Sequence, residues 1–470
     1  MKQVEFLIIG AGPTGLGAAH RLLELGHEDF LVLEAAEHAG GLASSFVDEA
    51  GFTWDLGSHL QHSHYEKFDQ YMDLVLQPDE WLHHDRSTWI WHSERFIPYP
   101  FQLNLHRLPE AERWKCVQGL MQVTDKPVSP DANFAEWCLA TFGTGISAEF
   151  MLPYNEKIWA RPLEELGSQW VRDRVATPKL TDVLRSICLN QDSTSWGPNA
   201  KFRYPKRGGT GSIWKRIANR LPVGKILFGM RAEQIHQSKH IVTGHLGFEY
   251  GYQHLINTMP LDLLVKALRP ANDFPQTAGL RKNATHVFGF GLSGKHPARL
   301  DGRCWGYYPQ PDLPFYRLTM MSNLSPWNTP HRGEWWSIMA EVAESKSVPQ
   351  SGDLVAKVER GLRNVGIFDD SSQLISRWHK RLPYGYPVPS INRDEIVDHT
   401  LATLESDHIY SRGRFGAWKY EVSNQDHSFM QGVEVVDHIL FNRNELTLHE
   451  PNLVNSRHNS FPFPEWASDS

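Results

Sequence analysis

The chain opens on a polar start, an apolar run, a glycine-rich turn and an amphipathic stretch. In VEFLIIGAGPTGLGAAHRLLELG, the apolar run Phe6–Ile9 predicts a buried strand. Leu16, Ala19, Leu22 and Leu23 then fall on one face of a helix that Gly26 stops. A second apolar run, FLVLE, predicts a strand ending at Glu34. From about 104 to 195 the apolar residues of EAERWKCVQGLMQV and NFAEWCLATFG recur at three- and four-residue steps, so this stretch reads as largely helical. From about 284 to 345 the pattern changes: THVFGFGLSG, FYRLTMM and EWWSIMAEVAE read as strands between Pro- and Gly-rich turns. RGGTGSIWKRIANRL (207–221) predicts another helix behind a glycine loop. In DHSFMQGVEVVDHIL a helix starting at an Asp or Ser cap would bury Phe429, Val433, Val436 and Leu440.

The turn after the first strand carries chemistry. Gly10, Gly12 and Gly15 form G-x-G-x-x-G, with Pro13 and Thr14 inside it. The first glycine permits the tight turn, the second lets backbone approach a pyrophosphate, and the third lets helix and strand touch. The amides at the helix start then face the anion. Glu34 stands 22 residues after Gly12, where a carboxylate can accept ribose hydroxyls. Strand, turn, helix and acid together predict a dinucleotide site. A second glycine turn, Gly40-Gly41, followed by Leu42, suits a longer and more deeply buried cofactor. The stretch resembles the FAD-binding amine-oxidase-like superfamily rather than NAD dehydrogenases, so FAD is the expected cofactor.

Size and charge narrow the picture. At ~150 residues per domain, 470 residues suggest three domains or one with large insertions. A net charge of −7 and a pI near 6.4 argue against general affinity for nucleic acid or anionic membranes. The 17 Trp, 14 Tyr and 23 Phe are mostly what a core of this size needs, though such an inventory also suits gripping flat rings. Four scattered cysteines without a CxxC pair predict neither a disulfide framework nor a thiolate zinc site, which fits a cytoplasmic location. No apolar run reaches the ~18–20 residues of a membrane span. The opening MKQVEFLIIGAG has a lysine before an apolar stretch, as a signal peptide would, but the glycine fingerprint accounts for it better.

GSHLQHSHY places His59, His62 and His64 within six positions. The residues alone leave open a metal site, a catalytic base with neighbours, or a loop that tolerates imidazole. Polar and aromatic residues also cluster in IPYPFQ (97–102), PYNEKIW (153–159), WVRDRVATP (170–178), WGPNAKFRYP (196–205), CWGYYPQPDLPFYR (304–317), YGYP (384–387) and SRGRFGAWKYEVSNQDHSFM (411–430).

In this order, behind this fingerprint, these stretches resemble the UDP-galactopyranose mutase family, particularly its eukaryotic type, from about Phe6 to Asn459. The resemblance implies an α/β chain in three parts. A discontinuous Rossmann-like FAD domain would take 1–100, 200–280 and 405–470. An inserted helical domain would take 101–199, and an antiparallel sheet domain 281–404. It also implies a non-redox mutase that interconverts UDP-galactopyranose and UDP-galactofuranose through a reduced-flavin N5–sugar adduct. FAD would be active when reduced, with NAD(P)H one candidate reductant. A nucleotide sugar is the only partner implied; no oligomeric state follows.

The resemblance assigns Arg174 and Arg317 to the diphosphate, where a planar fork makes paired bonds to phosphate oxygens. Tyr307, Tyr386 and Tyr420 would add hydroxyls. Asn155, Trp159, Asn199, Trp305 and Asn424 would line sugar and phosphate, and Tyr99 and Gln102 would grip the uracil. Gly57, Ser58, Arg414, Gln425 and Ser428 join the flavin side. His59 takes the position of a histidine set against the flavin ring, which displaces the zinc alternative, so no metal is expected; His64 is read as structural. Two positions depart from the family. Ser58 replaces a glycine, and His62 replaces an aromatic ring by the base pocket, adding a donor or acceptor there. They bear on nucleotide and sugar choice. The alternatives are a mutase for another nucleotide sugar, an FAD-dependent oxidase on the same scaffold, and a catalytically silent binder.

Overall fold

The computed structural model describes residues 2–124, 127–171, 175–194, 200–270, 274–368 and 372–462. Arg174 and Asn199 lie outside the described residues. Among those described, no helix is long and apolar enough to cross a membrane.

Two large sheets organise the chain. In the first, the strand Lys2–Ile9 lies between Glu249–Asn257 and Phe30–Leu33, parallel to both. Its central place explains the unbroken apolar run, because both faces are covered and Phe6, Leu7 and Ile8 are fully buried. Ile226–Leu227 extends one edge, and the antiparallel pair Ala232–His236 and Ile241–Gly244 extends the other. A late strand, Ile409–Ser411, returns to pair parallel with Glu249–Asn257. The expected Rossmann-like α/β unit is present and is assembled from distant parts of the chain.

Two of the helices that cover it cross closely. Pro13–Glu24 follows the glycine turn, and Gln425–Phe441 crosses it at backbone contact. A Cβ on Gly17 would sit 2.3 Å from the Phe429 carbonyl oxygen, and one on Gly432 would sit 2.0 Å from that of Thr14. The later helix does not start at the expected Asp or Ser cap. Its first residue is Gln425, after an extended Asn424, and the Asp426 carboxylate is taken by the backbone N–H of His64 at 2.9 Å and its Nδ1 at 2.7 Å. The tertiary bond outcompetes the local cap. Phe429, Val433 and Val436 are buried as expected, while Leu440 is half-buried.

The second sheet has seven strands in the order Leu374–Val388, Arg281–Ser293, Trp335–Glu344, Arg317–Thr319, Trp305–Tyr307, Thr88–His92 and Arg95–Pro98. It is antiparallel except where Trp305–Tyr307 meets Thr88–His92. Thr88–Pro98 therefore pairs here, although it lies within the 1–100 segment expected on the first sheet. Conversely, the helix Arg393–Glu405 buries Val397, Leu401 and Leu404 in the core under the first sheet, beyond the 281–404 sheet segment's role. Gly289 and Gly291 lie mid-strand because the Trp54 and Phe52 rings rest on them; Cβ atoms there would come within 2.5 and 2.4 Å of ring carbons.

A helical layer of Glu110–Met121, Phe134–Ile146, Leu152–Trp159 and Leu180–Leu189 packs against one end of this sheet through Ile90, Tyr316 and Val388. It matches the helical reading of 104–195.

Candidate functional site

The C-terminal end of the first strand, the N-termini of the helices Pro13–Glu24 and Gln425–Phe441 and one face of the second sheet enclose a cavity of about 910 Å³. Gly10, Gly12, Pro13, Thr14, Glu34, Gly41 and Leu42 line one end. Gly10 has φ +102°, and a Cβ there would strike Thr258 Oγ1 at 2.1 Å. Gly12 and Gly41 face each other across the cradle, each Cα lying 3.9 or 3.4 Å from where the other's Cβ would stand. Gly15 does not reach the cavity; its Cβ would lie 1.9 Å from the Gly10 carbonyl oxygen, so it serves the helix–strand contact. The Glu34 carboxylate is held at the rim by Ala11 N–H at 2.6 Å and Ala36 N–H at 2.8 Å. A cradle that side chains would fill, with an oriented acid beside it, fits a dinucleotide.

The other end is lined by Gly57, Ser58, His59, His62, Arg317, Glu341, Tyr386, Arg414, Tyr420, Asn424, Gln425 and Ser428. The loop 57–65 is pinned where it matters: Thr210 Oγ1 donates to the His59 carbonyl, and His64 is clasped by Asp426. His59 Nδ1 is buried without a hydrogen-bond partner among the described residues. Burial, with Arg414 and Arg317 nearby, pulls its pKa down to about 3, so it presents neutral imidazole to the cavity. Arg414 bridges Ser423 Oγ at 2.8 Å and the Gly385 carbonyl at 3.0 Å, with its guanidinium 4.9 Å from the Tyr386 ring centre.

Arg317 is the strongest fixed charge here. Its Nε and one terminal nitrogen donate to both oxygens of Glu341, the latter at 2.7 Å, and that same nitrogen lies 3.5 Å from the Tyr386 hydroxyl. Burial disfavours the guanidinium charge, but Glu341 more than offsets it. The fork is thus held by one edge. Glu341 escapes notice in the sequence because an acid within EWWSIMAEVAE looks like one polar position of a strand. Nothing local singles it out, because Ser337 is a second polar residue on the same face and the partner, Arg317, lies on the neighbouring strand.

The remaining expected residues form an aromatic body behind this wall rather than the wall itself. Trp159 packs edge-on against Tyr420 at 5.0 Å and Tyr386 at 5.9 Å. Trp305 Nε1 donates to the Tyr307 hydroxyl at 2.9 Å, and Tyr307 meets Tyr99 at 5.8 Å. Tyr154, absent from the expected set, packs on Tyr307 at 4.8 Å. Gln102 donates Nε2 to the Ala176 carbonyl, leaving its buried Oε1 without a partner among the described residues; Trp159 Nε1 is likewise buried and unpartnered. Asn155 turns its amide back to the Met151 carbonyl at 2.7 Å. Buried polar atoms normally have partners. His59 Nδ1, Gln102 Oε1 and Trp159 Nε1 are three near this site that lack one among the described residues.

The three loop histidines do not converge on a common point. Among the described residues, the groups whose donor atoms approach one another closely enough to share an ion are His64, Asp426 and His427, and His92, Glu112 and Glu149.

A family model for flavin containing amine oxidoreductases matches residues 13–416. The crystal structure of reduced UDP-galactopyranose mutase is 42% identical, covers 98% of this chain and 99% of its own, and superposes with a TM-score of 0.94. The chain belongs to the flavin-containing amine oxidoreductase family, in its UDP-galactopyranose mutase branch. It is a flavin enzyme of the isomerase class, with FAD as cofactor. A protoporphyrinogen oxidase from Exiguobacterium sp. 255-15 (16% identity, 94% and 99% coverage, TM-score 0.71) shares the fold alone. So does a fatty acid isomerase from P. acnes (16%, 93% and 99%, 0.62).

In this mutase branch the His62 position has a measurable signature. His62 lies in the cavity wall, edge-on to Phe202 at 5.7 Å, and burial pulls its pKa down to about 4. Its folded pKa lies below the unfolded value, so the unfolded chain binds the extra proton between about 6.5 and 4. Stability is therefore expected to fall as pH drops through that window. His62→Phe should reduce the loss by about 1–2 kcal/mol, seen as a smaller fall in Tm from about pH 7 to about pH 5. Equal falls in both proteins would remove His62 from the account.

Proposed function

We propose that the chain interconverts UDP-galactopyranose and UDP-galactofuranose in the cytoplasm with no net redox change. The observation that carries this is the half-buried Arg317, oriented by Glu341 beside the Tyr386 hydroxyl, at the same end of the cavity as His59. An amine or porphyrinogen pocket has no need of such a phosphate-binding fork.

Reduced FAD, when bound, supplies the N5 lone pair for covalent catalysis at the anomeric carbon of the sugar. Gly10, Gly12, Pro13, Thr14 and Gly41 would hold its pyrophosphate, and Glu34 its ribose. Gly57, Ser58, Gln425 and Ser428 would hold the ring end, with Arg414 countering negative charge. His59, neutral at physiological pH, would present its imidazole to the ring. On the substrate side, Arg317, aided by Arg174 and the hydroxyls of Tyr307, Tyr386 and Tyr420, retains the diphosphate as it leaves and returns. Asn424 in the cavity wall would meet the sugar, with Trp159 and Trp305 backing that wall; Asn155 and Asn199 are assigned to the sugar by the family resemblance alone. Tyr99 offers a face to the uracil, and the unpartnered Oε1 of Gln102 accepts its imide N–H. His62 in the wall is the feature that favours a second reading, a different nucleotide sugar. We also read three parts in the chain, with Thr88–Pro98 joined to the sheet domain.

The deciding experiment is redox-controlled turnover. Dithionite-reduced protein is expected to interconvert the two sugar nucleotides many times with no stoichiometric use of reductant. The oxidised protein should bind UDP and do nothing. Turnover by oxidised protein with stoichiometric peroxide release would make it an oxidase; turnover of another nucleotide sugar alone would support the His62 reading.

A further inference from the structure

Lys157 lies on the short helix Leu152–Trp159, between Asn155 and Trp159. Residues four apart share a helix face, and a residue two along points away from both. Its ammonium accordingly leaves the site and enters the loop joining the strands Trp305–Tyr307 and Arg317–Thr319. There Nζ donates to three carbonyl oxygens: Tyr308 at 2.7 Å, Gln310 at 2.8 Å and Phe315 at 2.7 Å. All three donors of an ammonium are used.

The loop is suited to such a centre. Pro309, Pro311 and Pro314 restrict its backbone and remove three N–H donors. Three carbonyl dipoles aimed at one point repel one another unless a cation sits between them. The loop is flanked by Tyr307 on one side and Arg317 on the other. A second tie runs from the same helix: Asn283 donates to the Ile158 carbonyl at 2.7 Å and accepts from the Tyr386 N–H at 2.8 Å. The helix bearing Asn155 and Trp159 is thus fastened to the strands bearing Tyr307, Arg317 and Tyr386.

We propose that Lys157 is a positioning residue for nucleotide recognition, its ammonium holding the 308–315 loop so that Tyr307 and Arg317 stand in register with Trp159. It touches neither cofactor nor substrate. The proposal rests on the diphosphate reading of Arg317.

Titration of the oxidised holoenzyme with UDP tests it without involving turnover. Lys157→Met should keep stoichiometric FAD and raise the Kd for UDP by about tenfold or more, since two phosphate-facing groups lose their register. A second variant, Lys157→Cys with the exposed Cys188 replaced by Ser, should be equally weak. Conversion of its new thiol to thialysine with 2-bromoethylamine, confirmed by mass, should restore affinity, because the ammonium returns at nearly the same reach. Wild-type affinity in Lys157→Met would overturn the proposal. Loss of FAD together with UDP affinity would also overturn it, making Lys157 a general folding residue. If the wild-type protein binds no UDP, the diphosphate reading fails first and takes this proposal with it.

Discussion

Gly12→Val should give a folded but colourless protein. Gly12 has φ −79° and ψ −177°, which valine adopts readily, so the backbone has no reason to resist. The obstacle is the cradle. The new Cβ would stand 3.9 Å from the Gly41 Cα, and the branched methyls would fill the gap between the two glycine turns where the pyrophosphate must lie. FAD affinity should fall by at least about 4 kcal/mol, or roughly a thousandfold. Flavin absorbance of the purified protein and its circular dichroism check this together. A yellow variant with the wild-type flavin content would show that the pyrophosphate lies elsewhere.

The second large effect is expected at Arg317. Arg317→Ala removes the phosphate-binding fork and also strands Glu341, whose side chain is only 3% exposed. A buried carboxylate without its cation is costly, so this variant mixes a stability defect with a catalytic one. The loss in kcat/KM should be about 2–5 kcal/mol. Combining Arg317→Met with Glu341→Met separates the two, because removing both charges should recover Tm but not turnover. Recovery of both would mean that Arg317 serves the fold alone.

How much of this was legible in the sequence depends on how local each cause is. The glycine fingerprint can be read because a tight turn, a close ligand approach and a helix–strand contact each exclude a side chain at a fixed spacing. The strand Lys2–Ile9 can be read because burial on both faces leaves a continuous apolar run. Thr88–Pro98 could not be placed, since strand periodicity says nothing about which sheet a strand joins. The cap expected at Asp426 failed for a related reason: His64, far away in the chain, claims the carboxylate. At the site, the order of aromatic clusters pointed to the right neighbourhood. It did not distinguish Tyr386 and Tyr420, which line the cavity, from Trp159 and Tyr307, which stand behind them. Glu341 was invisible, because its function lies in a pairing across strands. For Arg174 and Asn199 the sequence remains the sole witness.

The late return of the chain to the first sheet has a consequence for biosynthesis. The strand Lys2–Ile9 emerges from the ribosome well before its partner Glu249–Asn257, which comes more than two hundred residues later, and Ile409–Ser411 and the helix Gln425–Phe441 come later still. Gln425 and Ser428 belong to the cofactor cavity itself. The glycine cradle is therefore translated long before anything can close over it, and such distant pairings form slowly. A closed cofactor site therefore has to wait until the helix Gln425–Phe441 has been made. A cell short of FAD would accumulate complete chains with an open nucleotide cleft and an unpacked helix, the form most exposed to proteolysis and aggregation.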